Sequence, residues 1–182
     1  FELVYPLFAQ LNHSRANQDC WRQLFINHWN VQEDYFGYVL VEGKRAVGFL
    51  GLMFSSIPVN HEKQRFCNFT SWVVHKDYRS ESIKLLLPVL NLKEYTLTSL
   101  TMSADTYFIF KKLGFSDLED KVVIIPPLPK PSGFSKKNKI SVNSPSISRS
   151  LDETNLKIYQ DHSHLNAHHI LVQTEQGQCL IL

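Results

Sequence analysis

The chain has 182 residues, of which 43% are hydrophobic and 12% aromatic, and its formal net charge is +2. This length and composition are typical of a globular protein with one domain and part of a second. Because 19 Lys and Arg are interspersed with 17 Asp and Glu, the charge does not indicate a nucleic-acid partner.

The first half of the chain predicts helices followed by strands. Residues 3–29 predict two helices joined by a turn, because apolar side chains recur at helical spacing on either side of a polar break. The segment FGYVLVEGKRAVGFLGLMFSS, residues 36–56, predicts a β-hairpin that turns at Gly43. A polar loop is expected at 57–65, and residues 66–75 predict a third strand, since they are rich in aromatic and β-branched side chains.

Helices and strands alternate in the next part of the chain. We expect a helix over 80–92, with Pro88 ending or kinking it, and a strand over 94–102. A helix over 104–113 stopped by Gly114 follows, and then a strand over 121–126. The order ααββ followed by βαβαβ predicts a mixed α/β (α+β) domain.

Residues 126–150 concentrate Pro, Ser and Lys and predict an exposed linker. The expected organisation is a domain over 1–125, this linker, and a C-terminal segment over 151–182. That segment predicts a helix over 151–165 and a hairpin at Gly177, too little to close a core, so it is interpreted as the start of a second domain. The open hairpin predicts contacts with missing sequence or with another subunit, as in a homodimer.

The cellular setting is predicted from cysteines and from apolar runs. Cys20, Cys67 and Cys179 are odd in number and include no Cys-x-x-Cys pair, which favours reduced thiols over disulfides. No apolar run approaches the roughly 20 residues of a membrane span, and the first residues lack a signal-peptide pattern. We therefore expect a soluble, cytoplasmic protein with no membrane partner. The chain begins at Phe1 rather than Met, which suggests a fragment of a longer protein.

The stretch HKDYRSESIKLLL, residues 75–87, places a strand end directly before a helix start. Such a junction aims free backbone N–H groups at one point and binds anions readily. Ordinary capping by Ser80 or Ser82, with Glu81 in the first turn, explains the same residues. The local pattern leaves both interpretations open.

The stretches SWVVHKDYRSESIKLLL and TMSADTYFIFKKLGF resemble the GNAT superfamily of acyl-CoA N-acyltransferases. Matching residues occur at the strand end, in the helical run and at the end of the later helix: Val74, Tyr78, Arg79, Ile83, Leu85, Leu86, Leu87, Lys112, Leu113, Gly114 and Phe115. The resemblance covers residues 36–125. It implies a GNAT-like mixed central sheet flanked by helices, with acetyl-CoA or another acyl-CoA as co-substrate.

The resemblance also implies which residues bind acyl-CoA. The strand would contribute Trp72, Val73 and Val74, and the pyrophosphate loop would contribute Arg79, Ser80, Glu81, Ser82, Ile83 and Lys84. Ser82 and Lys84 replace the small residues of the family's loop, so the motif is degenerate. Because this replacement removes no N–H donor, we expect a modified pyrophosphate site.

Acyl transfer requires an amine to lose a proton and the leaving thiolate to gain one. The family's usual tyrosine falls on Phe110, which cannot carry a proton, so Tyr107 one helical turn earlier is the candidate acid. His75 is the candidate base, because it alone among the strand side chains titrates near neutrality. The ordinary alternatives are a packed tyrosine ring and a solvent-facing histidine.

Two functions follow from these residues. The first is an acyl-CoA-dependent N-acyltransferase that transfers directly to an unidentified amine in a ternary complex. The alternative is a catalytically inactive GNAT-like module for ligand binding or protein interaction. The histidines of DHSHLNAHH, 161–169, complete no known ligand spacing, so no metal is expected.

Overall fold

The computed structural model describes residues 1–11, 16–27, 31–60, 62–118, 138–163 and 167–182. The chain forms two compact units, Phe1–Ser116 and Asp117–Leu182. The strand predicted at 121–126 lies outside the described residues, as does the first part of the predicted linker. Within the described ranges, no helix has the length and apolar character needed to cross a bilayer.

The first unit is a four-stranded sheet with helices on both faces. Its strands, in spatial order, are β1 (Gly37–Glu42), β2 (Arg45–Val59), β3 (Glu62–Val74) and β4 (Thr96–Thr98). Its helices are α1 (Tyr5–Phe8), α2 (Gln18–Arg22), α3 (Ile83–Leu90) and α4 (Ala104–Lys112). β1, β2 and β3 are antiparallel, whereas β4 is parallel to β3. The predicted mixed sheet flanked by helices is confirmed.

The two hairpins differ in how well the sequence predicted them. The turn between β1 and β2 contains Gly43 at φ +59°, as expected. The polar loop expected at 57–65 was wrong, because β2 and β3 continue to pair as far as Val59 and Glu62 and turn at Asn60. The side chains at this end of the hairpin lie largely outside the core, so the sequence shows no alternation of apolar and polar residues there. Backbone hydrogen bonds alone are enough to pair the two strands.

A β-bulge in β3 decides which side chains face which helices. The pairs Leu50–Trp72 and Leu52–Phe69 leave two residues of β3, Thr70 and Ser71, opposite one residue of β2. Because side chains alternate along a strand, the extra residue reverses the alternation. Phe69 and Trp72 therefore both lie on the face covered by α3 and α4.

Each face of the sheet carries its own core. On one face the buried side chains are Leu50, Leu52, Phe54, Cys67, Phe69, Leu85, Leu86, Val89 and Phe110. On the other, the α1 side chains Leu7 and Phe8 pack against Ala46, Phe49 and Val73. The sheet is thus covered on both faces, which leaves strand edges as the accessible parts of its backbone.

Both predicted helices after β3 are present, with boundaries shifted by one to three residues. The helix expected from residue 80 begins at Ile83, and a 3₁₀ helix, Lys76–Glu81, precedes it. Pro88 lies in its last turn, and the helix ends at Leu90. The helix α4 is capped by the Ser103 hydroxyl, which accepts from Thr106 N, and is followed by Gly114 at φ +91°.

The second unit contains β5 (Lys139–Ser141), α5 (Ser144–Ser150), α6 (Glu153–His162), β6 (Ile170–Thr174) and β7 (Gly177–Ile181). Its strands form an antiparallel sheet in the order β5-β6-β7, and the hairpin predicted at Gly177 is confirmed. The linker prediction was wrong for the residues of β5 and α5. Pro145 lies in the first helical turn, where proline is tolerated, and Ile147 is fully buried.

Candidate functional site

The parallel strands β3 and β4 stop pairing halfway along β3. They pair only at Phe66–Thr96, Cys67–Leu97 and Asn68–Thr98, whereas β3 continues to Val74. At the last pair, Thr98 Oγ1 donates to Asn68 Oδ1 at 3.1 Å. In the described part of the chain, the β3 edge beyond Asn68 therefore has no strand beside it. An open edge of this kind can hydrogen-bond an extended ligand.

The open edge leads into a helical corner. Within this corner, Tyr78 N donates to His75 O at 2.9 Å and Ser82 N donates to Arg79 O at 3.2 Å. The amides of Ile83 and Lys84, in the first turn of α3, have no hydrogen-bond acceptor among the described residues. The amides left available to an anion among the described residues are therefore those of Ile83 and Lys84, whereas the Ser82 amide is already bonded.

Ser82 and Lys84 are the two residues that depart from the GNAT loop pattern at this corner. Ser82 has ordinary helical torsions, φ −55° and ψ −32°, so the backbone does not require glycine there. Ser82 occupies the N-cap position of α3, as one interpretation expected, but its side chain makes no capping hydrogen bond. The Lys84 ammonium lies 2.8 Å from the Glu81 carboxylate, and both side chains are largely exposed.

Four basic residues belong to the two segments that meet at this corner. The Tyr78 hydroxyl donates to the Glu42 carboxylate, which holds the β1–β2 turn beside the 3₁₀ helix. Lys44 and Arg45 follow Glu42 in the sequence, and Lys76 and Arg79 belong to the 3₁₀ helix that contains Tyr78. None of these four cations forms an ion pair within the described ranges. The corner is thus suited to a polyanion.

The strand residues assigned to acyl-CoA lie along the open edge but face different ways. The Val73 side chain is buried under α1, whereas Trp72 and Val74 pack on the face of α3 and α4. Phe110 is 2% exposed, and its ring contacts Phe69 at 5.0 Å and Trp72 at 6.0 Å between centroids. Phe110 is therefore a core residue that adjoins the site.

The candidate acid and base lie in different surroundings. His75 Nδ1 is 3.4 Å from Asp77 Oδ2, and the imidazole contacts the Tyr78 ring at 6.1 Å. Tyr107 is half-buried on α4, with its ring edge against Phe108 and Lys111 Nζ 5.9 Å from its centroid. The fold thus groups His75 with the helical corner and Tyr107 with the surface of α4.

Sequence inspection missed a charged cluster at the other end of β3. Arg65 lies 2.5 Å from the Glu33 carboxylate and 2.7 Å from that of Glu94, and its guanidinium stacks over Tyr95 at 4.3 Å. The Tyr95 hydroxyl also donates to Glu33. These residues come from three separate parts of the chain and have no motif spacing, so only the fold brings them together.

A pocket lies beside β2 at Leu52–Phe54, next to the segment of chain that precedes β1. It encloses about 330 Å³, part of it open solvent, and its lining includes Asn27, Glu33, Tyr35, Met53 and Phe54. Burial and a hydrogen bond with Tyr38 raise the pKa of Tyr35. Since Met53 pairs across the sheet with Asn68, the pocket is level with the point where β3 and β4 separate.

Cys67 is expected to resist thiol reagents in the folded protein. It is fully buried, and burial followed by the charge of Glu33 raises its pKa to about 12, whereas Cys20 and Cys179 are exposed. Because the thiolate is the nucleophile, iodoacetamide at pH 8 should add two groups to the native chain and three in denaturant, as read by mass spectrometry. Three rapid additions to the native chain would contradict the buried position of Cys67.

The histidines near the second hairpin give no metal site among the residues described. In those ranges, no three His, Cys, Asp or Glu side chains are grouped closely enough to hold an ion. His162 Nδ1 lies 2.7 Å from the Ile158 carbonyl oxygen, and the His169 ring contacts Tyr159. His164 lies outside the described residues.

The chain was compared with known proteins. It is similar to glucosamine-6-phosphate N-acetyltransferase from Arabidopsis thaliana, with a TM-score of 0.51 and 13% identity over 68% of this chain and 90% of that chain. It is also similar to ribosomal-protein-alanine N-acetyltransferase from Brucella melitensis biovar Abortus, with a TM-score of 0.44 and 16% identity over 68% of this chain and 91% of that chain.

A third similarity is to an acetyltransferase from Trypanosoma brucei, with a TM-score of 0.40 and 19% identity over 50% of this chain and 66% of that chain. This chain thus spans slightly less than two thirds of the length of that structure. No family model and no curated protein match the sequence. The TM-score with the Arabidopsis enzyme and the mixed sheet with its parting parallel strands show that this chain has the GNAT acetyltransferase fold.

Proposed function

We propose that the chain is an N-acyltransferase that uses acetyl-CoA or a longer acyl-CoA as donor and an amine as acceptor, in a ternary complex. The observation that carries this proposal is the edge of β3 beyond Asn68, which no described strand covers, followed along the chain by the Ile83 and Lys84 amides, which no described residue accepts from. Acyl-CoA has an extended pantetheine arm, which could pair with a strand edge, and a pyrophosphate, which could bind at a helix start.

The residues present fit such a ligand. The amides that open α3 would hold the pyrophosphate, and Lys76 and Arg79 would balance its charge. Ser80 and Glu81 form the preceding turn, and the backbone of Trp72–Val74 would pair with the pantetheine arm. Bound acyl-CoA would supply the activated acyl group.

His75 and Tyr107 are the proposed proton-transfer groups. The Asp77 carboxylate, 3.4 Å from His75 Nδ1, would stabilise the imidazolium that forms when His75 takes the amine proton. Tyr107 would return a proton to the sulfur. The acceptor is proposed to enter on the side of the N-terminal helices, where the pocket beside Met53 lies level with the strand separation.

Thermal denaturation with acetyl-CoA tests the donor. A ligand at 100 times its dissociation constant stabilises the native state by about 2.7 kcal/mol, so Tm should rise clearly at millimolar acetyl-CoA. Replacing Arg79 by Gln removes one charge beside the pyrophosphate and should weaken binding by about three- to tenfold. The matched control is Arg149→Gln, an exposed arginine of the second unit, which should bind like the wild type. Unchanged Tm of the wild type at millimolar acetyl-CoA would refute the proposal.

An inactive GNAT-like binding module is the second candidate, and Phe110 favours it. This buried phenylalanine stands where the resembled family carries a tyrosine. A panel of amines with acetyl-CoA separates the two functions through release of free thiol. Binding without thiol release from any amine would favour the module, whereas release with one amine class would establish the enzyme.

The cellular setting remains part of the proposal. Cys20, Cys67 and Cys179 are all free thiols, which supports a reducing compartment such as the cytoplasm. We also propose that the second unit begins a further α/β domain, since its two helices and hairpin follow the same order as the start of the first unit.

A further inference from the structure

Trp72 carries a hydrogen-bond donor that nothing in the described residues satisfies. Its Nε1 is fully buried and has no hydrogen-bond partner. A buried donor without an acceptor destabilises the folded state and is uncommon in folded proteins. The indole N–H only donates, so the missing partner must be an acceptor.

The surroundings of the indole explain why the protein itself provides no acceptor. The ring packs edge-on against Phe110, which in turn contacts Phe69 and Phe115. These rings have no oxygen or nitrogen to accept a hydrogen bond. In such apolar surroundings, a hydrogen bond that does form is stronger than one in water.

The position of Trp72 points to the ligand as the missing partner. The residue follows the Thr70–Ser71 bulge and lies on the part of β3 that β4 no longer covers. The bulge directs the indole to the face of α3, the helix that opens with unpaired amides. Without the bulge, strand alternation would direct it to the opposite face.

We propose that Trp72 Nε1–H donates a hydrogen bond to a carbonyl oxygen of the acylated pantetheine arm. This assignment rests on the proposed function, since it requires acyl-CoA along β3. Trp72 is then a ligand-binding residue that fixes the position of the arm, and it transfers no proton.

The variant Trp72→Phe tests the proposal, because it keeps an aromatic ring and removes the N–H. The dissociation constants of CoA and acetyl-CoA should rise by about three- to tenfold, in line with the loss of one hydrogen bond. Adenosine 3′,5′-bisphosphate has no pantetheine arm, so its affinity should not change. The Tm of the ligand-free variant should equal or exceed that of the wild type, since an unsatisfied donor has been removed. Trp21→Phe, which alters a ring stacked on Phe8, is the matched control and should bind acetyl-CoA normally.

The wild-type protein provides a second test that does not depend on the variant folding. The indole ¹H–¹⁵N resonance of Trp72 is assigned as the one that is missing from the spectrum of Trp72→Phe. In the wild-type protein this resonance should move downfield when CoA is added. Equal CoA affinity of wild type and variant, an unmoved resonance, or an equal loss of affinity for adenosine 3′,5′-bisphosphate would each overturn the Trp72 assignment alone. Failure of the wild type to bind CoA or acetyl-CoA would overturn the proposed function together with it.

Discussion

Replacing Arg65 by leucine is expected to lower the free energy of unfolding by about 2–3 kcal/mol, because it leaves the Glu33 carboxylate without its cation. The Glu33 side chain is only 12% exposed, and the Arg65 side chain is 32% exposed. Arg65 also joins Glu94 and covers the Tyr95 ring. Urea denaturation at neutral pH measures the change in free energy.

Two further variants make the Arg65 test specific. Arg22→Leu removes an exposed partner of Glu2, with side chains 50% and 74% exposed, and should change stability by less than about 1 kcal/mol. Adding Glu33→Gln to Arg65→Leu removes the uncompensated charge and should recover part of the loss. Equal losses for Arg65→Leu and Arg22→Leu would show that burial of Glu33 does not matter.

Replacing Gly37 by alanine is expected to destabilise the first unit by about 3 kcal/mol or more. Gly37 has φ +147°, and an added Cβ would lie 2.2 Å from the Leu50 carbonyl oxygen and 2.9 Å from the Phe49 ring. The torsion disfavours any L-residue. The clash involves the backbone of β2, which cannot move aside without breaking its hydrogen bonds to β1.

The control for Gly37 is Gly43→Asn. Gly43 has φ +59°, a torsion that asparagine adopts, and an added Cβ would meet nothing within 4 Å. This variant should lose less than about 1 kcal/mol. Circular dichroism during thermal unfolding compares the two variants, and similar Tm values would contradict the expected clash at Gly37.

Local sequence patterns determined much of the fold. The hairpins at Gly43 and Gly177, the helix stop at Gly114 and the order of elements from β1 to α4 follow from turn residues and apolar periodicity, which act over a few residues. The resemblance to GNAT proteins rested on two stretches, SWVVHKDYRSESIKLLL and TMSADTYFIFKKLGF, and the fold agrees with it. The residues proposed to bind acyl-CoA could therefore be selected from the sequence alone, whereas their roles remain predictions.

Only the tertiary structure decided the features on which the site depends. The parting of β3 from β4 after Asn68, the bulge that turns Trp72 toward α3, and the meeting of Glu33, Arg65 and Tyr95 involve residues distant in sequence. The polar end of the β2–β3 hairpin and the helix around Pro145 were also missed. In each case pairing or burial against a distant segment determined the outcome, and such contacts leave no periodicity in the local sequence.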